Sequence, residues 1–358
     1  MPLLRTLSVS AQAAAHIRAE VERGRWIGAI PGVYRLAIEL GVNRKTVEAA
    51  LRQLEHEGLL IGQGKGRKRL IVRQGGKATR PMKIAVLLHE PVDRQLEYIV
   101  ELQHALADDG HSVIVASKSL TELKMDVKRV SQLVKQTAAD AWIILAGSRE
   151  VLQWFCEQPK PAFALFGRRE GLPIAAAGPD KVPAFVEATN RLVGLGHRRV
   201  VLIARRARRL PELGRSERSF FDTLIANGLK GSDFNLPDWE ETPEGVQELL
   251  TSLFRVTPPT AMIVEEAPVF AAVLQFLAGR GVRVPQQVSL ICTDADPTFI
   301  WCTPSISHIR WDSAPLVRCI VRWAARVGKG RKDVKQTGVA AEFVVGGTIG
   351  PVPTGEGS

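Results

Sequence analysis

The sequence predicts an α/β chain in two parts: a small winged helix-turn-helix head, then a larger body of two doubly wound α/β lobes. Three observations carry this. Residues 36–66 read as helix, tight turn, long helix and a basic, Gly-containing hairpin. From residue 83 onward, short apolar runs alternate with amphipathic stretches, the pattern of parallel sheets covered by helices. The charge is uneven: residues 1–80 hold 15 Lys/Arg against 6 Asp/Glu, whereas the rest is close to balance.

A chain of 358 residues with 45% apolar content can build two or three packed domains. Most of the net +11 lies on the head, where a polyanion would bind. The opening MPLLRTLSVSAQAAAHIRAEVE has charges but no apolar core before a cleavage site, so no secretory signal is expected. No apolar run reaches the roughly 18–20 residues of a membrane helix, and no membrane partner is expected. Cys156, Cys292, Cys302 and Cys319 are scattered with no CxxC pair, which fits free thiols in a reducing cytoplasm. The histidines are dispersed too, so no metal and no cofactor is expected.

The head begins with a helix over Ser10–Arg23, its apolar residues Ala13, Ala14, Ile17 and Val21 at helical spacing. Ser10 is its expected N-cap and Gly24 its stop. Pro31 suits the start of a second helix with Leu36, Ala37 and Leu40 inward. Gly41 permits a sharp turn because glycine tolerates positive φ. Asn43 caps a third helix running to about Glu57, with Val47, Ala50, Leu51 and Leu54 as its buried stripe. Gly58 stops it, and LLIGQGKGRKRLIV makes the hairpin. Between Gly62 and Arg80 stand seven Lys/Arg and no acid, a wing able to follow a phosphate backbone or enter the minor groove. These features nominate Arg35, Asn43, Arg44, Lys45, Thr46, Lys65, Arg67, Lys68 and Arg69 for DNA contact.

The Gly-rich, Pro-bounded stretch RQGGKATRP reads as a linker. Strands are expected at 83–89, 111–117, 141–147, 161–167, 199–204, 260–266 and 288–294. Helices are expected at 95–108, 125–137, 183–195, 220–227 and 269–280. The domain reading is a head over 1–73, a linker over 74–81, a body over 82–350 and a tail over 351–358.

The residues Ile30, Pro31, Leu36, Ala37, Leu40, Gly41, Val42, Arg44, Thr46, Val47, Ala50, Leu51, Leu54, Glu57, Gly58 and Leu59 match a known pattern, and on them the head resembles the GntR family. Two departures concern base reading. Gly32, Val33 and Tyr34 replace the family's Ser-Glu-Arg, and Glu48 replaces an arginine after Thr-Val. Two customary DNA-contacting arginines are therefore absent. Glu48 is either an acceptor for a cytosine amino group or an ordinary exposed helix residue.

The phrases LVGLGHRRVVLI (192–203), PTAMIV (259–264), GRGVRVPQQVSLICTDAD (279–296) and TPSISHIRWD (303–312) give the body a resemblance to LacI-type repressors and to type I periplasmic-binding proteins. The resemblance implies two lobes, about 82–178 with 309–328 and about 180–304 with 336–348, joined by three crossings. It also implies a sugar or similar metabolite held between the lobes. Position at the carboxyl ends of parallel strands nominates His89, Asp93, Arg94, Arg168, Glu265 and Asp294 as effector contacts. Asp294 falls where the family has a ligand-contacting Asp. The family's Arg before the ANGL helix falls on Ser216, which nominates Arg215 beside it. Trp301 is a stacking surface for a sugar ring or an ordinary packing residue. RRARR at 205–209 reads as a solvated loop.

The expectation is a cytoplasmic, homodimeric, ligand-responsive regulator of operator DNA, a repressor by resemblance. Alternatives are a regulator whose lobes no longer bind a ligand, or a carrier protein that binds sugar. An enzyme is not expected, since no GxSxG elbow, Walker loop or HExxH is present.

Overall fold

The computed structural model describes residues 8–22, 25–26, 28–64, 68–71 and 80–353. The head holds α1 (Val9–Glu22), α2 (Val33–Leu40) and α3 (Arg44–His56), followed by the two-residue strands β1 (Leu60–Ile61) and β2 (Leu70–Ile71). Ala14, Ile17, Leu36, Val47, Ala50, Leu51 and Leu54 form its fully buried centre. The α1 cap lies earlier than expected: Ser8 Oγ accepts from the Ala11 N–H at 3.2 Å, and Ser10 is inside the helix. Gly24 lies outside the described residues. Pro31 precedes α2 by two positions, with Gly32 as the N-cap. Gly41 takes φ 61°, and its N–H together with Val42's closes the end of α2.

The wing is tied to the head by an extra segment. Ala29 bridges Leu70, the Ile30 N–H donates to the Arg69 carbonyl at 3.0 Å, and the Ile71 N–H donates to the Gly28 carbonyl at 2.9 Å. The pairing orients β2 from its outer edge.

The chain divides into two compact units, Met1–Ala177 with Ser313–Gln336 and Gly178–Asp312 with Thr337–Ser358. Beyond the head, unit 1 contains β3 (Lys83–Leu87), α4 (Glu97–Asp108), β4 (Ser112–Val115), α5 (Val127–Gln136), β5 (Ala141–Leu145), α6 (Arg149–Cys156) and β6 (Ala162–Leu165), and β7 (Ala175–Asp180) begins in it. The order is β4-β3-β5-β6-β7, every pair parallel. Strands buried on both faces are near-continuous apolar runs, as in AWIIL of β5.

Unit 2 runs through α7 (Val182–Gly194), β8 (Val200–Ile203), α8 (Arg206–Arg209), α9 (Arg215–Ala226), α10 (Pro243–Val256), β9 (Ala261–Val264), α11 (Ala267–Gly279), β10 (Ser289–Cys292) and β11 (Ser307–Trp311). Then α12 (Ala314–Val327) belongs to unit 1, where it packs on α4 and its Trp323 stacks against Phe163 at 5.3 Å. Finally β12 (Gln336–Val344) pairs antiparallel with β11. The unit 2 order is β12-β11-β10-β9-β8, with β8 to β11 parallel. Residues after β12 close the core. Thr348 Oγ1 donates to the Leu290 carbonyl at 2.7 Å and accepts from the Ser307 N–H at 2.9 Å. His197, fully buried, donates from Nε2 to the Gly350 carbonyl at 2.9 Å, which leaves Nδ1 to accept from Thr260 Oγ1 at 3.1 Å. Among the described residues no helix is long and apolar enough to cross a membrane.

Candidate functional site

In the head, Gly41 ends α2 and turns the chain into α3, whose first residue is Arg44. Asn43 Oδ1 accepts from the Thr46 N–H at 2.8 Å and the Thr46 hydroxyl at 3.0 Å, so both residues first serve as the cap of α3. Arg44 and Lys45 follow, exposed, and no described carboxylate pairs with either. Arg35 on α2 is exposed in the same way. Arg44 sets its guanidinium over the ring of Tyr34, 3.7 Å from the centroid. Three other described cations of the head are engaged. Arg18 pairs with Glu57, Arg25 with Glu20 and Glu39 at 3.2 Å each, and Arg69 Nε donates to Glu55 Oε1 at 2.6 Å. Arg69 thus fastens the wing to α3, while Lys68 beside it is exposed. Lys65 and Arg67 lie outside the described residues. Glu48 is half-buried on α3.

In unit 1, the four nominated residues stand in loops after parallel strands. His89 follows β3, with its Nε2 3.9 Å from Glu90 Oε1. Asp93 accepts from the Glu90 N–H at 2.8 Å and so closes the turn Pro91–Gln95; Arg94 is exposed next to it. Arg168 follows β6, its N–H donating to the Gly147 carbonyl at 3.1 Å. The ends of β5 and β6 approach so closely here that a Cβ on Gly167 would meet Gly147 O at 2.6 Å. Ala146 and Phe166 both take positive φ, and Tyr98 meets the Phe166 ring edge-on at 5.8 Å. Backbone in this rare region concentrates at sites where geometry matters more than strain.

In unit 2, two of the four nominated residues, Glu265 and Asp294, belong to one charged cluster. Asp294, after β10, accepts from Lys181 Nζ at 2.5 Å, and the Thr293 carbonyl holds the same ammonium at 2.9 Å. Glu265, after β9 and buried, accepts from the Arg205 N–H at 2.6 Å and from Arg208 Nε at 2.9 Å. Burial pushes the Glu265 carboxyl up from the usual carboxylate range, and Arg208 opposes that. Glu217, also buried, is pushed up by burial in the same way against the pull of Arg208. Arg208 is held charged above the usual arginine value, chiefly by Glu265. Glu266 takes φ 64° and accepts twice from Arg205, at 3.0 and 2.7 Å. Arg215 stands 3.7 Å from Asp180 at the start of α9. Trp301, 83% exposed at the end of the turn Pro297–Trp301, is outside the cluster.

The structure corrects the reading of RRARR as a solvated loop. Arg205 and Arg208 bind the carboxylates at the end of β9, and Arg209 is buried, paired with Asp238 and bonded to the Ala204 carbonyl at 3.0 Å. Lys181 and Glu217 carry no local sequence signal, since their partners are far away along the chain. The acid pair Glu265–Glu266 directly after an apolar strand is the one clue that cations had to converge there. Among the described residues no group of His, Cys, Asp and Glu could hold a metal.

Residues 9–70 match the model of bacterial regulatory proteins of the gntR family, and residues 189–349 that of a periplasmic binding protein-like domain. No curated protein matches the chain. Among solved structures, the transcriptional regulator CelR–cellobiose complex is similar over 89% of this chain and 100% of its own, at 16% identity and TM-score 0.63. A LacI family regulator from Enterococcus faecium with bound ribose is similar over 75% and 99%, at 15% identity and TM-score 0.61. The lac repressor dimer bound to operator and the anti-inducer ONPF is similar over 77% and 96%, at 18% identity and TM-score 0.61. At such identities the likeness shows the fold. The head thus matches the gntR family model and the body the periplasmic-binding-protein-like one, and the chain has the fold of those solved regulators.

Proposed function

We propose that the chain is a ligand-responsive repressor that acts by binding rather than by catalysis. Residues 1–73 are the operator-binding head, and the two lobes of residues 82–350 carry the effector response. The observation that supports this most is a set of exposed cations, Arg35 on α2 and Arg44 and Lys45 at the start of α3, none paired with a described carboxylate. Such cations suit phosphates and guanine edges. A homodimer would set two recognition helices one helical turn apart on a near-palindromic operator, in the cytoplasm where that DNA is found. The effector is a sugar or similar metabolite, as with the cellobiose and ribose of the similar structures, and the carboxyl ends of the parallel strands are where it would be gripped.

The test has two arms. The full chain should shift duplex DNA from upstream of its own operon, with affinity falling steeply as salt rises. No shift at low salt would overturn the DNA reading. A thermal-shift screen of sugars should find at least one ligand that raises the melting temperature, because binding only the native state stabilises it. One observation favours a second reading, a regulator whose lobes take no ligand: Lys181 with Asp294, and Arg205 and Arg208 with Glu266 and Glu265, already satisfy one another. A flat screen combined with intact operator binding would select it.

A further inference from the structure

We infer that Tyr34 is a specificity-determining positioning residue: its ring fixes the Arg44 guanidinium as the base-reading group of the head. The inference rests on the DNA-binding reading above. Tyr34 is the second residue of α2 and Arg44 the first of α3, and the turn at Gly41 brings them face to face. The guanidinium carbon lies 3.7 Å from the ring centroid, a stacking distance. Tyr34 is 64% exposed, so the head core does not demand an aromatic residue there.

Stacking covers one face of the guanidinium and leaves its N–H donors free, since they lie in its own plane and point outward from its edge. No described carboxylate competes for them. An arginine in solution loses rotamer freedom when it binds a base, but one already held flat against a ring has less to lose. The edge so presented matches the O6/N7 pair of guanine, the commonest specific contact in the major groove. Next to the stack is a shallow depression to which Ala37, Ile38 and Val42 contribute apolar surface beside Asn43 and Lys45.

The test uses the full chain and the tightest duplex selected from a random pool. Affinity for that duplex and for an unrelated duplex is measured across salt concentrations. Tyr34→Phe keeps the ring and should behave as wild type. Tyr34→Ala should weaken specific binding by about two- to fivefold, the size of an exposed cation–π contact, and leave non-specific binding and the salt slope unchanged. In an Arg44→Ala background Tyr34→Ala should have no further effect, because Tyr34 acts only through Arg44. Unchanged melting temperatures show that the head stays folded.

Equal loss on both duplexes, additive loss in the double variant, or a loss with Tyr34→Phe would each overturn the inference. The first or the last would make Tyr34 a phosphate contact through its hydroxyl. A wild type that selects no duplex would overturn the DNA-binding reading and this inference together. A wild type that selects one while Tyr34→Ala binds it equally well would overturn this inference alone.

Discussion

At the scale of single residues, the chemistry of the chain depends on which charges are already spoken for. Asp294 and Lys181 illustrate it. Removing the carboxylate leaves, among the described residues, an ammonium held by the Thr293 carbonyl. Asp294→Ala should abolish any effector-induced rise in melting temperature while operator affinity stays within about twofold, less than 0.5 kcal/mol; an unchanged effector response counts against the unit 2 cluster. Glu265→Ala should lower the unfolding free energy by about 1–3 kcal/mol in denaturant titration, since it strands the buried Arg205 N–H and frees Arg208. His197 gives a pH dependence. Burial pushes its pKa below the ordinary 6.5, so the folded chain resists a proton that the unfolded chain accepts. The unfolded state then binds more protons, and stability falls as pH drops below about 6.5, by at most ~1.4 kcal/mol per pH unit. His197→Gln should flatten that part of the stability–pH curve.

At the scale of elements, the capped and striped helices were readable because each signal is local. Gly41, Asn43 and the Val47–Leu54 stripe act within one or two turns, and all three behave as the sequence predicts. Asn43→Ala should destabilise the head by about 1 kcal/mol through loss of its cap, and Leu54→Ala by about 2–5 kcal/mol through a core cavity. Head-specific amide exchange would separate these losses from unit 2. What escaped notice was non-local. β7, AAAGPD, carries the Gly and Pro of a turn, yet its Ala175–Ala177 pair in register with Phe163–Leu165 of β6 and so extend that sheet. The pairing of Ala29 with Leu70 joins the segment before α2 to β2 by backbone alone, with no side-chain pattern to show it. α10 was legible but unread: Thr242 caps it, Pro243 opens it, and Val246, Leu249, Leu250 and Leu253 form its buried stripe. In the candidate site, strand-end position found Glu265 and Asp294 but not Lys181 or Glu217, because a salt bridge leaves no periodicity in the sequence.

At the scale of the whole molecule, the basic bias is a property of the head, so operator binding and ligand response should be separable by charge. Changing Lys65, Arg67 and Lys68 together to alanine should reduce the salt slope of DNA binding by about 2–3 and lower affinity on every duplex alike. The ligand-induced rise in melting temperature should be untouched, and a slope that does not move would take the wing off the DNA. The closing of unit 2 by Thr348 and Gly350 has another outcome, in the order of synthesis. All described head elements are complete by Ile71, whereas the unit 2 core waits for Thr348 and Gly350, about 280 residues later. At about 5–20 residues per second, translation leaves tens of seconds in which a nascent chain has a finished head and an unfinished sensor. For that interval, on the operator-binding reading proposed above, the growing chain has a head that meets DNA with no sensor to answer a signal.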